Sequence, residues 1–149
     1  MSKISRFASG IRVAPCSRND LRKLAHAIRK SLHLENCLKF PVIRFLEFLQ
    51  QTFEDFDFEI VEKGVLPKGM FANTNPVTGM VVIEEKFYDM ANDEKSKGHS
   101  FALSTILHEC AHWILHRKQL AALARQDKAP HKKYEDSEWQ ADVLVSELM

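Results

Sequence analysis

The sequence predicts an α+β fold, mostly helical, with a small antiparallel sheet packed beside a metal-binding H-E-x-x-H helix. Three observations predict it. An apolar run over residues 101–115 carries Leu103, Ile106, Leu107, Cys110, Ala111, Ile114 and Leu115 at the three- and four-residue recurrence of a helix with one buried side. Within that run His108, Glu109 and His112 spell H-E-x-x-H. Between residues 56 and 83, short apolar stretches are punctuated by Gly, Pro and Asn, which reads as strands and turns.

At 149 residues the chain fits one domain, 1–149, long enough to bury a core. Its formal net charge of +1 lacks the basic excess of a dedicated nucleic-acid surface, so no direct nucleic-acid partner is expected. Cys16, Cys37 and Cys110 are odd in number with no paired spacing, which points to reduced thiols and a cytoplasmic protein. Residues 1–15 have no sustained apolar core, and nothing later reaches transmembrane length, so neither a leader nor a membrane partner is expected.

Residues 1–17 are expected to form a loose N-terminal arm. Asn19 or Asp20 then caps a helix through Leu21, Leu24, Ala25, Ile28 and Leu32, whose exposed side carries Arg22, Lys23, Arg29 and Lys30. A basic face this short reads first as a solvated face, with a contribution to a partner-binding surface as the alternative. Pro41 fits the first turn of a second helix, with Val42, Phe45, Leu46, Leu49 and Phe53 on one side as core.

Phe56, Phe58 and Ile60 alternate with Asp57 and Glu59, the pattern of a half-buried strand. Met70, Phe71 and Ala72 suggest a short strand, residues 73–79 a turn, and the unbroken run Met80, Val81, Val82, Ile83 a central strand. An edge strand lining a cleft can pair with an extended peptide backbone. Residues 86–98 lead as a short helix or loop into the H-E-x-x-H helix, with His99 and Ser100 near its start.

His108 and His112 lie one turn apart on one helix face. Neutral imidazoles so spaced can hold one Zn2+ at roughly 2.0–2.1 Å each. Glu109 is then placed to accept a proton from a metal-bound water. The apolar flanks put these polar side chains in a desolvated wall, where they need a partner. His116 extends the series, but at ~1.5 Å rise per residue it stands about 12 Å along the axis from His108. Side chains on a helix lean the same way, so the three imidazoles do not converge, and His116 is expected as a pocket-wall or surface histidine. Cys110 is expected to turn away into the core.

A better third ligand is Glu138, on an amphipathic helix whose apolar residues are Trp139, Val143, Leu144 and Leu148. Glu138 and Asp142 share a face, so one carboxylate can bind zinc while the other accepts the N–H of a ligating histidine. Two histidines and a carboxylate suit zinc best, although Mn2+ or Fe2+ fit a similar site. Residues 124–133, with Pro130 and several charges, read as a mobile loop over the cleft. His131 and Tyr134 lie there, and either can donate a hydrogen bond to the oxyanion of a tetrahedral intermediate.

H-E-x-x-H ending His112-Trp113-Ile114-Leu115-His116, then Glu138-Trp139-Gln140-Ala141-Asp142 and Ser146-Glu147-Leu148-Met149, resembles the ImmA/IrrE family of metallopeptidases. That family typically reads HELGHLLLH, followed by an E-x-x-A-[ND] segment ending in a Leu-Leu-Met-Pro-like run. The likeness covers the C-terminal third closely and the rest in element order. By matching positions it implies zinc ligands at His108, His112 and Glu138, one Zn2+ per chain, and a catalytic glutamate at Glu109. The chain departs from the pattern at Ala111, where the family has Gly, at Ser104-Thr105-Ile106-Leu107, and in stopping at Met149 where relatives often continue.

The resemblance further implies a protein substrate, often a helix-turn-helix transcriptional repressor of a phage, mobile element or stress regulon. Cleaving or dissociating the repressor then switches genes on. Two rivals stand beside it. SprT-like proteases share a similar H-E-x-x-H stretch but take a further histidine as third ligand and act on DNA-bound protein. A metallopeptidase-like binding module would grip a repressor without cutting it, and would have no need of Glu109.

Overall fold

A computed structural model describes residues 10–75, 78–117 and 130–149. The fold is α+β, with five α-helices and a three-stranded sheet among these residues. The chain divides into two compact units, Met1–Phe40 with Leu115–Met149, and Pro41–Ile114.

In the unit built from the two ends of the chain, α1 spans Arg18–Ser31. Its cap is Ser17 rather than Asn19 or Asp20. Ser17 Oγ accepts from Asp20 N at 3.1 Å and Asp20 Oδ2 accepts from Ser17 N at 3.1 Å, a reciprocal box that satisfies two otherwise orphaned donors. Asp20 therefore sits at the third helical position, and its carboxyl is held below the usual range by those bonds from Ser17. Leu21 and Ala25 are the buried stripe, and Arg29 and Lys30 stand in the last turn, where a cation suits the helix dipole.

The expected loose arm does not extend to Ser17. From Gly10 onward the segment is fastened along the start of the last helix. Val13 N donates to Glu135 O and Cys16 N to Tyr134 O, both at 2.8 Å, and Ser137 N donates to Ile11 O at 3.0 Å. Ile11 and Val13 are buried. Two apolar residues at a spacing of two form a minimal strand signal, hidden in the sequence by the scattered basic residues around it. Residues 1–9 of the expected arm lie outside the described residues, as do residues 124–129 of the expected loop.

Two helices of the second unit, α2 over Val42–Thr52 and α3 over Glu85–Ala91, flank its sheet in the chain order. α2 buries Val42, Phe45, Leu46 and Leu49, the one-sided spacing expected, with Pro41 at its start. Strands β1 (Phe58–Val61), β2 (Ala72–Thr74) and β3 (Val81–Glu84) are ordered β1-β3-β2. The unbroken run makes β3 central, with Val81 and Ile83 wholly buried. The sheet is mixed rather than antiparallel. β2 runs antiparallel to β3, but β1 pairs parallel to it, Phe58 opposite Val81 and Ile60 opposite Ile83. The chain leaves β1, crosses to the far side of β3's position as β2, and returns through a hairpin.

The second strand begins two residues later than expected. Asn73 and Thr74, read as turn residues, pair with Val82 and Val81. Tertiary pairing overrides the turn preference of Asn here, and β2 lies at an edge where polar side chains are tolerated. The turn itself is set by Asn75 and Gly79: Gly79 N donates to Asn75 O at 2.8 Å, and Gly79 takes φ 78, open to glycine without steric cost.

The H-E-x-x-H helix, α4, is continuous over His99–His116. It starts in the second unit, where Trp113 packs edge-on to Phe56 with centroids 4.9 Å apart and against Phe53 at 5.4 Å. Leu115 and His116 belong to the first unit. In that unit, after a 3₁₀ turn at Lys133–Glu135, α5 spans Ser137–Leu148. It is capped by Asp136, whose side chain accepts from Trp139 N at 3.0 Å. α5 packs on α1 and buries Gln140, Ala141, Leu144 and Leu148 on one side. A Leu144→Ala cavity there would cost about 2–5 kcal/mol. Arg29 closes the far end, donating to Leu148 O and to Cys37 O, the latter at 3.0 Å. Among the described residues no helix is long and apolar enough to cross a membrane.

Candidate metal centre

The centre starts from one face of α4. His108 and His112 stand a turn apart, both half-buried, and their Nε2 atoms approach to 3.0 Å. Two unprotonated ring nitrogens repel at that distance unless a proton or a cation lies between them. Two ligand atoms at ~2.05 Å in a tetrahedral shell are separated by about 3.3 Å, close to this spacing. The rings meet nearly perpendicular, at 86°.

Glu138, in the first turn of α5, completes the group. One ligand atom each from His108, His112 and Glu138 lies within 4.8 Å of the others, a set that could hold a metal ion. Two imidazoles and a carboxylate are the donor types of a three-ligand zinc site with one position left open. The residues present fit zinc.

Glu109 is held from the sheet side. Thr74 Oγ1, at the end of β2, lies 2.7 Å from Glu109 Oε1 and 3.1 Å from the Glu109 main-chain oxygen. A hydroxyl has one hydrogen to give, and the shorter bond to the carboxylate is the charge-assisted one. Thr74 was not legible as a site residue, because Asn-Thr-Asn-Pro reads as a turn. Its only sequence signal is a β-branched residue beside an expected strand.

Cys110 faces the other way and is fully buried. Burial pushes its thiol far up, with the neighbouring Glu109 charge adding to the effect, so it stays protonated and packs as a small apolar group. His116 is not a surface residue: it is 0% exposed, and its Nε2 lies 2.8 Å from Gln140 Oε1. Gln140 in turn donates from Nε2 to Ala14 O and Tyr134 O, both at 2.8 Å. This polar cluster fastens the last turn of α4 to α5. Its signal in the sequence was a glutamine at a core position of an amphipathic helix.

His131 and Tyr134 sit near the start of α5. The His131 side chain is 2% exposed, and its Nε2 lies 2.7 Å from Asp136 Oδ1. That oxygen also accepts from Gly10 N at 3.1 Å. Tyr134 is half-buried, its ring under Lys132 Nζ at 5.7 Å, and a hydrogen bond to Tyr134 raises the Lys132 ammonium's pKa. Asp142, one turn beyond Glu138, is exposed. No family model, curated protein or solved structure gives a significant match to this chain.

Proposed function

We propose that this chain is a zinc-dependent endopeptidase that hydrolyses a peptide bond in a partner protein. The observation carrying the reading is the convergence of His108, His112 and Glu138, with Glu109 on the turn between the two histidines. His108, His112 and Glu138 would hold one Zn2+ per chain. Zinc bound there supplies an acidified water and Lewis-acid polarisation of the scissile carbonyl. Glu109 takes the proton of the attacking water and hands it to the leaving amine nitrogen. His131 and Tyr134 are the candidates for oxyanion donors, and Asp142 for the carboxylate that orients a ligating histidine.

The resemblance to ImmA/IrrE metallopeptidases supports a helix-turn-helix repressor of a phage, mobile element or stress regulon as substrate. Three cysteines without a disulfide support a cytoplasmic setting. The carboxylate third ligand favours this reading over a SprT-like protease.

The test is elemental analysis of wild type, Glu138→Ala and Glu109→Gln, each purified without added metal. One zinc per chain in wild type, kept in Glu109→Gln and lost in Glu138→Ala, is the expected pattern. Cleavage of candidate repressors by wild type but not by Glu109→Gln would then separate an enzyme from a binding module. A wild type that neither contains nor takes up zinc would overturn the proposal.

A further inference from the structure

The proposed hydrolysis asks Glu109 to move one proton twice, and the protein must keep the carboxylate from turning between those steps. Thr74 is built to do so. Its main chain is fixed on both sides, by pairing with Val81 and by the hairpin bond from Asn75 N to Met80 O at 2.8 Å. A β-branched side chain on such a backbone has few χ1 choices. Its hydroxyl hydrogen goes to Glu109 Oε1 at 2.7 Å, in a half-buried setting where a charge-assisted bond is only partly screened by water.

We infer that Thr74 is a positioning residue for Glu109, holding Oε1 so that Oε2 is the oxygen that exchanges the proton. Oε1 already accepts the hydroxyl hydrogen of Thr74, which leaves Oε2 as the oxygen not engaged by it. In the reaction an O–H bond of water breaks as its oxygen bonds to the scissile carbonyl carbon and its proton passes to Oε2. The C–N bond then breaks as Oε2 gives that proton to the departing amine nitrogen, forming an N–H bond, and the carboxylate ends unchanged. Thr74 loses nothing and touches neither water nor substrate. This role rests on the peptidase reading, whereas the contact between Thr74 and Glu109 does not.

Thr74→Val keeps the shape and strand preference of threonine but removes the donor. Thr74→Ser keeps the donor and relaxes the rotamer. On the zinc-loaded full chain, with dye-labelled casein as probe, Thr74→Val should lose on the order of 10- to 100-fold in kcat. Its KM, zinc content and melting temperature should stay near wild type. Thr74→Ser should recover most of that loss, a rescue that a purely structural tie would not give.

On metal-free protein labelled with 13C-glutamate, wild type and Thr74→Ser should share a Glu109 carboxyl resonance that is displaced in Thr74→Val. An unchanged resonance in Thr74→Val overturns the inference, as does wild-type kcat in Thr74→Val or a failure of Thr74→Ser to rescue. A wild type that binds zinc and cleaves nothing counts against the peptidase reading, and the resonance still decides the contact.

Discussion

His116 donates from Nε2 to Gln140 Oε1 across 2.8 Å, with both side chains shut off from solvent. The direction is fixed by the glutamine. Its amide nitrogen gives its two hydrogens to Ala14 O and Tyr134 O, so its oxygen must face the imidazole, and the imidazole must carry its proton on Nε2. One side chain thus ties the last turn of α4, the N-terminal segment and the approach to α5.

Gln140→Leu should be more harmful than His116→Phe. The first leaves an imidazole N–H and two main-chain carbonyls without this partner; the second leaves one amide oxygen. The loss at the buried His116 N–H is about 1–3 kcal/mol, and the part-buried carbonyls of Ala14 and Tyr134 add less because water can reach them, so Gln140→Leu should lose roughly 3 kcal/mol. That corresponds to about 6–12 °C in melting temperature for a chain of this size. Thermal unfolding of the two variants checks the order. Equal losses would show that Ala14 O and Tyr134 O find other donors.

Gly10→Ala tests how tightly the N-terminal segment is bound to the start of α5. A Cβ at Gly10 would meet Asp136 Oδ2 at 2.7 Å, Asp136 Oδ1 at 2.8 Å and Glu138 N at 2.8 Å, with backbone among the atoms that must give way. Overpacking of this kind costs about 1–3 kcal/mol. Because the clash falls on the cap of α5 and on the backbone of Glu138, zinc affinity should fall together with stability. Zinc titration against a competing chelator, beside urea unfolding, reads both. Loss of stability with unchanged zinc affinity would show that the first turn of α5 holds Glu138 without this contact.

What could be read from the sequence divides along the physics of range. The face of α4 carrying His108 and His112 followed from a local period, and so did the buried side of α2 and the central place of β3. The parallel pairing of β1 with β3 did not, because register between strands so far apart in the chain is set by packing and leaves no local mark. Glu138 was found because a metal needs a third donor and the chemistry limits the choice. Thr74, Gln140 and Asp136 were passed over because each does its work through one hydrogen bond to a distant residue, and threonine, glutamine and aspartate are ordinary at strand ends and on helices. Ile11 and Val13 were too short a pattern to stand out from a basic terminus.

The three thiols should separate by reactivity. Cys37 is exposed, Cys16 is half-buried and Cys110 is enclosed. Burial raises the Cys16 thiol, with Asp20 adding to it, and raises the Cys110 thiol much further. With a maleimide at neutral pH, mass spectrometry should find Cys37 labelled first, Cys16 more slowly and Cys110 only after unfolding. Rapid labelling of Cys110 in the folded protein would contradict its place in the core of α4.

The last prediction concerns acid. Glu147 on α5 accepts from Arg22 Nε at 3.1 Å and from Arg18 Nη1 at 3.3 Å, tying α5 to α1 across the surface of their unit. The hydrogen bond from Arg22 is the main cause holding the Glu147 carboxyl below its ordinary value of 4.5, with the charges of Arg22 and Arg18 adding to it. A carboxyl whose folded pKa lies below the unfolded one stabilises the fold while both states are ionised. That contribution is complete above the ordinary value of 4.5 and is lost as pH falls through the depressed folded value. Glu147→Gln should therefore be slightly less stable than wild type at pH 7, and the gap should narrow on acidification to about pH 3. Because both arginines are more than half exposed, the gap at pH 7 should also shrink in 1 M salt. Urea midpoints at the two pH values and two salt levels check the sign; a gap that widens toward acid would mean Glu147 is better placed as the neutral acid than as the ion.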